Sequence, residues 1–117
     1  MAGSFYDLKI WQKGYELLME TYQITSNFPK EERYGLTNDL RRSANSVIAN
    51  IAESHGRYYY ADKVRVLYIA RGEVEETRSH LKVALGRKYI DQLTFNRLDK
   101  EYEGLSKGIS GYIKSLR

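Results

Sequence analysis

Residues 40–54 read LRRSANSVIANIAES: two arginines, then three helical turns of small and apolar residues in which Glu53 is the only charge. Leu40, Ala44, Val47, Ile48 and Ile51 recur three and four positions apart, the spacing that gathers side chains on one stripe of an α-helix. That stripe is the expected core face. Ser43, Ser46, Ala49 and Ala52 lie around the remaining sides, where serine and alanine allow another helix to approach closely. Two meanings fit this bareness: a helix sunk centrally in its own bundle, or a second packing surface that meets another copy of the chain.

Working outward, the same period recurs three times. Before the quoted stretch, Leu8, Trp11, Tyr15, Leu18 and Tyr22 form a stripe that stops near Asn27. Pro29 has no N–H to donate, so NFPKEERYG (27–35) is a connector with room for one helical turn before Gly35. The second helix then starts at Leu36 or Thr37 and runs to the SHGR break at 54–57, where Gly56 is expected to take the positive φ that ends helices. After it, Leu67, Ala70, Val74, Thr77, Leu81 and Ala84 share a stripe widened by Val64 and Leu85, with a stop at Gly86. Phe95, Leu98, Tyr102, Leu105, Ile109, Tyr112 and Leu116 make the last. No segment alternates as a strand does. Four long amphipathic helices with brief connections predict an all-α, antiparallel up-down-up-down four-helix bundle, with residues 1–117 as one domain.

The composition narrows the function. A chain of 117 residues supports one core that buries about 65% of the unfolded surface. Without cysteine there are no disulfides and no thiolate metal sites. The opening MAGSFYDLKIW has no basic segment followed by an apolar run, and no apolar stretch reaches the roughly 18 residues of a membrane span, so the expected location is the cytoplasm. A di-iron bundle needs Glu-x-x-His on two helices. Here Glu76 and His80 are four apart and His55 sits beside a loop glycine. Gly104, Gly108 and Gly111 fall within a helical pattern rather than after a strand, so they are expected to permit close helix contact or to loosen the C-terminal turns, and not to bind phosphate. Neither a cofactor nor an enzymatic activity is expected.

The charge of +4, from 19 basic and 15 acidic residues, permits a polyanionic partner without requiring one. Between Gly56 and Gly72, Arg57, Lys63, Arg65 and Arg71 face one acid, Asp62. Lys82, Arg87 and Lys88 form a second group, and Glu73, Glu75 and Glu76 separate the two. Arg41, Arg42, Arg57, Lys63, Arg65, Arg71 and Arg78 are the candidate phosphate contacts, since such contacts need clustered cations and counterion release. Against this, Arg71 and Arg78 stand four and three residues from Glu75, the spacing of surface ion pairs. The tyrosines of GRYYYADKVR have three possible roles, ranked interface, core, then base stacking. Ser43, Ser46, Ala49, Tyr58 and Tyr59 are thus the candidate contacts between copies.

These residues also carry a resemblance. NFPKEERYGLTNDLRRSANSVIANIAES, the GR that follows, and LYIARGEVEET resemble the 23S rRNA intervening-sequence protein family, as do the opening FYDLKIWQKGYEL, the IARG turn and LGRKYI before the last helix. The resemblance spans nearly the whole chain. It implies a small cytoplasmic bacterial protein, in some relatives encoded within an insertion in a large-subunit rRNA gene, folded as an antiparallel four-helix bundle and assembled as a homopentameric ring. One related branch serves as the accessory protein of diversity-generating retroelements, where a basic ring surface engages nucleic acid and a reverse transcriptase. The implied partners are further copies of the chain, RNA or DNA, and a protein such as a polymerase. Two positions depart from the family pattern: Ser54 stands where relatives usually have glycine, and Glu73 where they usually have serine, beside the very arginines invoked for phosphate.

Overall fold

The computed structural model describes residues 3–117, and within them the chain forms four helices: α1 (Lys9–Thr25), α2 (Leu36–Gly56), α3 (Tyr60–Gly86) and α4 (Gln92–Ser115). A single 3-10 turn precedes α1 at Phe5–Asp7 and another, Lys30–Glu32, occupies the connector after Pro29. No strand occurs among the described residues. Helix α3, at 27 residues, spans about 40 Å at 1.5 Å per residue, most of the 45 Å length of the molecule.

The connectors are built from specific bonds. The Glu32 carboxylate accepts the Leu36 N–H at 3.0 Å and caps α2, while its other oxygen accepts the Tyr89 hydroxyl at 2.9 Å from the α3–α4 turn. The backbone bond from Leu36 and the Tyr89 hydroxyl hold the Glu32 carboxyl below the ordinary glutamate range. Asp91 caps α4 by accepting the Thr94 N–H at 2.8 Å. At the end of α2, the Lys63 ammonium donates to the carbonyls of Ser54 and His55 at 3.3 and 3.1 Å, satisfying groups that the helix leaves open.

Two helix ends differ from expectation. No described glycine has a positive φ, so Gly56 closes α2 as an ordinary helical residue and Arg57 leaves in extended backbone. The left-handed residue is Lys88, at φ 64°, two positions beyond Gly86. Tyr89 N–H reaches back to Ala84 O and Lys88 N–H to Leu85 O, both at 2.9 Å. That is the Schellman pattern, here on a lysine instead of glycine. The IARG segment is likewise no turn, since it lies inside α3.

For α3 and α4 the core follows the sequence period: Leu67, Ala70, Val74, Thr77, Leu81 and Ala84 are buried, as are Phe95, Leu98, Tyr102, Leu105 and Ile109, but in the last turn of α4 Ile113 is buried while Tyr112 and Leu116 are only half-buried. Helix α1 does not follow it. Its buried side is Ile10, Gly14, Leu17, Leu18, Thr21 and Thr25, about one position away from the predicted stripe, and Tyr15 and Tyr22 face outward.

Tyr102 marks the centre of the core with a polar bond. The Thr21 hydroxyl donates to Leu17 O at 2.8 Å, which leaves its oxygen to accept the Tyr102 hydroxyl at 3.1 Å. Burial pushes the Tyr102 phenol up to about 12. An exposed phenol titrates near 10, so between these values the unfolded chain loses a proton that the folded chain keeps, and stability falls as pH rises. We expect Tyr102→Phe to cost about 1 kcal/mol at neutral pH and to flatten this alkaline decline. Urea unfolding at pH 8 and pH 11 checks both. Parallel declines in the two proteins would contradict the assignment.

Candidate functional site

The seven predicted cations meet different fates. Arg42 pairs with Glu76 across the α2–α3 seam, and Arg57 pairs with Glu53 one turn before it. The hydrogen bond from Arg42 holds the Glu76 carboxyl below its ordinary range. Arg78 donates to both oxygens of Asp99 on α4, at 2.8 and 3.2 Å, and lies 3.3 Å from Glu75. The Asp99 bond raises its affinity for the proton above that of a free guanidinium. A fork-shaped, half-buried pair of this kind positions α3 against α4. Lys63 is committed to the end of α2. Arg41 donates to the Thr25 hydroxyl at 2.8 Å and lies 4.7 Å over the Tyr22 ring. Only Arg65 and Arg71 of the seven remain without an ion pair or hydrogen bond among the described residues, and Arg71 rests 5.3 Å over the Tyr68 ring. The spacing argument for Glu75 therefore holds for Arg78 and fails for Arg71.

The predicted contacts between copies also separate. Ser43 is fully buried inside its own bundle, where its hydroxyl accepts the Thr77 hydroxyl at 2.8 Å. It is corrected from a surface residue to a part of the α2–α3 seam, because α3 crosses α2 on that side. Ser46 lies in the same seam and donates to Glu73 at 3.0 Å. The other Glu73 oxygen is buried without a hydrogen-bond partner. Ala49, Tyr58 and Tyr59 face outward. His55 contacts the Gly3 carbonyl at 3.0 Å and His80 lies 3.3 Å from Glu76. No group of three or more metal-ligating side chains occurs among the described residues.

An aromatic face emerges instead on α1. Trp11 and Tyr15 stack with ring centroids 5.3 Å apart, and Phe5 and Tyr6 meet the same indole edge-on. Met19 and Tyr22 continue this face, both exposed. Beneath it Leu18, Ala44 and Ile48 form a small cluster with Trp11, and on α2 Ala49 is exposed and Ala52 half-buried. The sequence held one clue: α1 has a second apolar stripe, Ile10, Leu17 and Ile24, on which the core settled, freeing the amphipathic aromatics. Between α1 and α4 a groove of about 300 Å³ is walled by Ile10 and Leu105 and floored by Gly104 and Gly108. No helix is long and apolar enough to cross a membrane among the described residues.

Comparisons with known proteins agree with this architecture. Among solved structures, the crystal structure of a protein with unknown function from the S23 ribosomal protein family of Bacteroides thetaiotaomicron VPI-5482 superposes with a TM-score of 0.79. The two chains are 23% identical over 90% of this chain and 98% of that one, a likeness of fold. No curated protein matches. The model of the 23S rRNA-intervening sequence protein family matches residues 6–111, nearly all of the four helices described above, and the chain belongs to that family.

Proposed function

We propose that this chain is a non-catalytic building block that assembles with copies of itself through the outer face of α1 and α2. The observation that supports it is the aromatic face of α1, where Tyr15, Met19 and Tyr22 are exposed and Trp11 is half-covered, together with the exposed Ala49 and half-buried Ala52 of α2. Tryptophan, tyrosine and methionine are the side chains enriched where protein surfaces bury one another, and flanking alanines let a helix close in. The α1–α4 groove adds a complementary shape. An added Cβ at Gly104 would meet nothing within 4 Å, so the bundle's own packing does not require this glycine. A bulky face and a glycine-floored groove on different sides of one chain fit head to tail, a contact that closes into a ring when the rotation allows. A ring of five is the expectation carried by the family resemblance.

Light scattering on purified protein tests this. Wild type should exceed the 13.7 kDa of a single chain. Tyr15→Glu/Met19→Glu and Gly104→Leu should each yield single chains. Mixed together, the two variants should form a dimer and stop, because each keeps one working surface. A single-chain mass for wild type would sink the proposal, whereas a mixture that stays unassembled would remove the head-to-tail arrangement. The rival is a scaffold that docks a polymerase or other partner protein on the same face, and a single-chain wild type would favour it.

A further inference from the structure

The connector between α2 and α3 follows closely on His55, which bonds the Gly3 carbonyl, and has chemistry of its own. Tyr58 and Tyr59 are 86% and 67% exposed, among the barest large side chains described, and their rings stand 5.0 Å apart and nearly perpendicular. Nothing in the bundle explains two adjacent uncovered aromatic rings. Along α3, Arg65, Tyr68 and Arg71 follow on the outer side. Tyr68 and Arg71 border a hollow of about 220 Å³ shared with Gly72 and Glu75 of α3 and Ser106 of α4. With α3 and α4 antiparallel, the register that sets Arg71 beside Ser106 brings Lys114, eight residues on, level with the start of α3. The acids of this region are Glu53, occupied by Arg57, together with Asp62 and Glu75, the last of which faces Arg78. Cations therefore outnumber free carboxylates here, and Arg65 and Arg71, the two of the seven candidate cations with neither an ion pair nor a hydrogen bond among the described residues, both belong to this surface.

We propose that this end of the bundle binds single-stranded nucleic acid, with bases stacked on Tyr58 and Tyr59 and phosphates held by Arg65 and Arg71. Stacking needs a base face, and a duplex hides its base faces between neighbours, whereas a single strand offers them. Duplex binding instead grows with the number of phosphates neutralised, and two free arginines supply little of that. From Tyr60 to Arg71 the surface runs about 16 Å along α3, enough for several nucleotides.

Fluorescence anisotropy with an unstructured 12-nucleotide uridine-rich RNA, its DNA counterpart and a 12-base-pair duplex, at 50 and 200 mM salt, tests this on the full chain. Wild type should bind both single strands more tightly than the duplex. Tyr58→Ala/Tyr59→Ala should weaken single-strand binding at least tenfold, since stacking on one aromatic ring is commonly worth that much. Tyr58→Trp/Tyr59→Trp should retain it, which separates stacking from a merely structural role. Arg65→Ala/Arg71→Ala should lower the salt dependence by about one to two released ions, and Lys30→Ala/Lys88→Ala, at the opposite end, should change nothing. All these positions lie on the surface, and far-UV circular dichroism confirms folding. No single-strand binding at 50 mM salt, a duplex bound as tightly as a single strand, or tyrosine variants that bind like wild type would each overturn the proposal.

Discussion

Gly14→Leu is expected to lower the stability of the bundle by about 3 kcal/mol, at the upper end of overpacking costs. Gly14 is buried where α1 crosses α2, and a Cβ there would fall 2.5 Å from Ile48 Cγ2, with Leu105 Cδ2 at 3.6 Å on the other side. Ile48 has little freedom to yield. It is β-branched, held in one rotamer by its own helix, and enclosed by Leu18, Ala44 and Trp11. The leucine must therefore push the helices apart, and the gain of up to about 1 kcal/mol from removing a helical glycine does not offset that. For a chain of this size the loss corresponds to roughly 10 °C or more in Tm, readable from a thermal melt. The cause is separable: Ile48→Ala removes the obstructing methyl, so Gly14→Ala made in that background should stabilise. A melt of Gly14→Leu at or above the wild-type temperature would show that α1 and α2 are not in contact at this point.

Leu67→Ala should cost about 3 kcal/mol, within the 2–5 kcal/mol measured for leucine truncation in well-packed cores. Leu67 has no exposed surface and belongs to the central cluster to which all four helices contribute, so no single helix can shift to fill the void. Leu93→Ala is the control, because Leu93 is exposed and its truncation should change stability by less than about 0.5 kcal/mol. Urea unfolding at one fixed protein concentration distinguishes the two, since self-association would make stability concentration-dependent. Equal midpoints for both variants would mean that the core is not organised as described.

The four helices and their order were legible because a helix's period is local: the backbone sets 3.6 residues per turn, and one apolar stripe per helix follows. For α3 and α4 one stripe dominates, and most of its residues are buried, although Val66 joins it on α3 and Ile113 takes the place of Tyr112 and Leu116 at the end of α4. Helix α1 has two, Ile10/Leu17/Ile24 and Trp11/Tyr15/Tyr22, and a period cannot choose between stripes about 100° apart. The choice fell to packing, since Gly14 lets α1 approach Ile48 closely and so turns the first stripe inward.

The candidate surfaces were less legible for the same kind of reason. Which arginines are free depends on carboxylates far along the chain, Glu76 for Arg42 and Asp99 for Arg78, and only the register between helices brings them together. Ser43 looked like surface until Thr77 was placed against it. Left-handed backbone at Lys88 followed from how the α3–α4 turn docks on Glu32 and Phe28 through Tyr89, where the sequence pointed to glycine. By itself the sequence determined four amphipathic helices, their connectors and a surplus of positive charge, all consequences of residues within a few positions of one another. The tertiary structure alone decided which aromatic stripe faces outward and which cations lack carboxylate partners, because burial and ion pairing are set between helices, by contacts 20 to 90 residues apart in the chain.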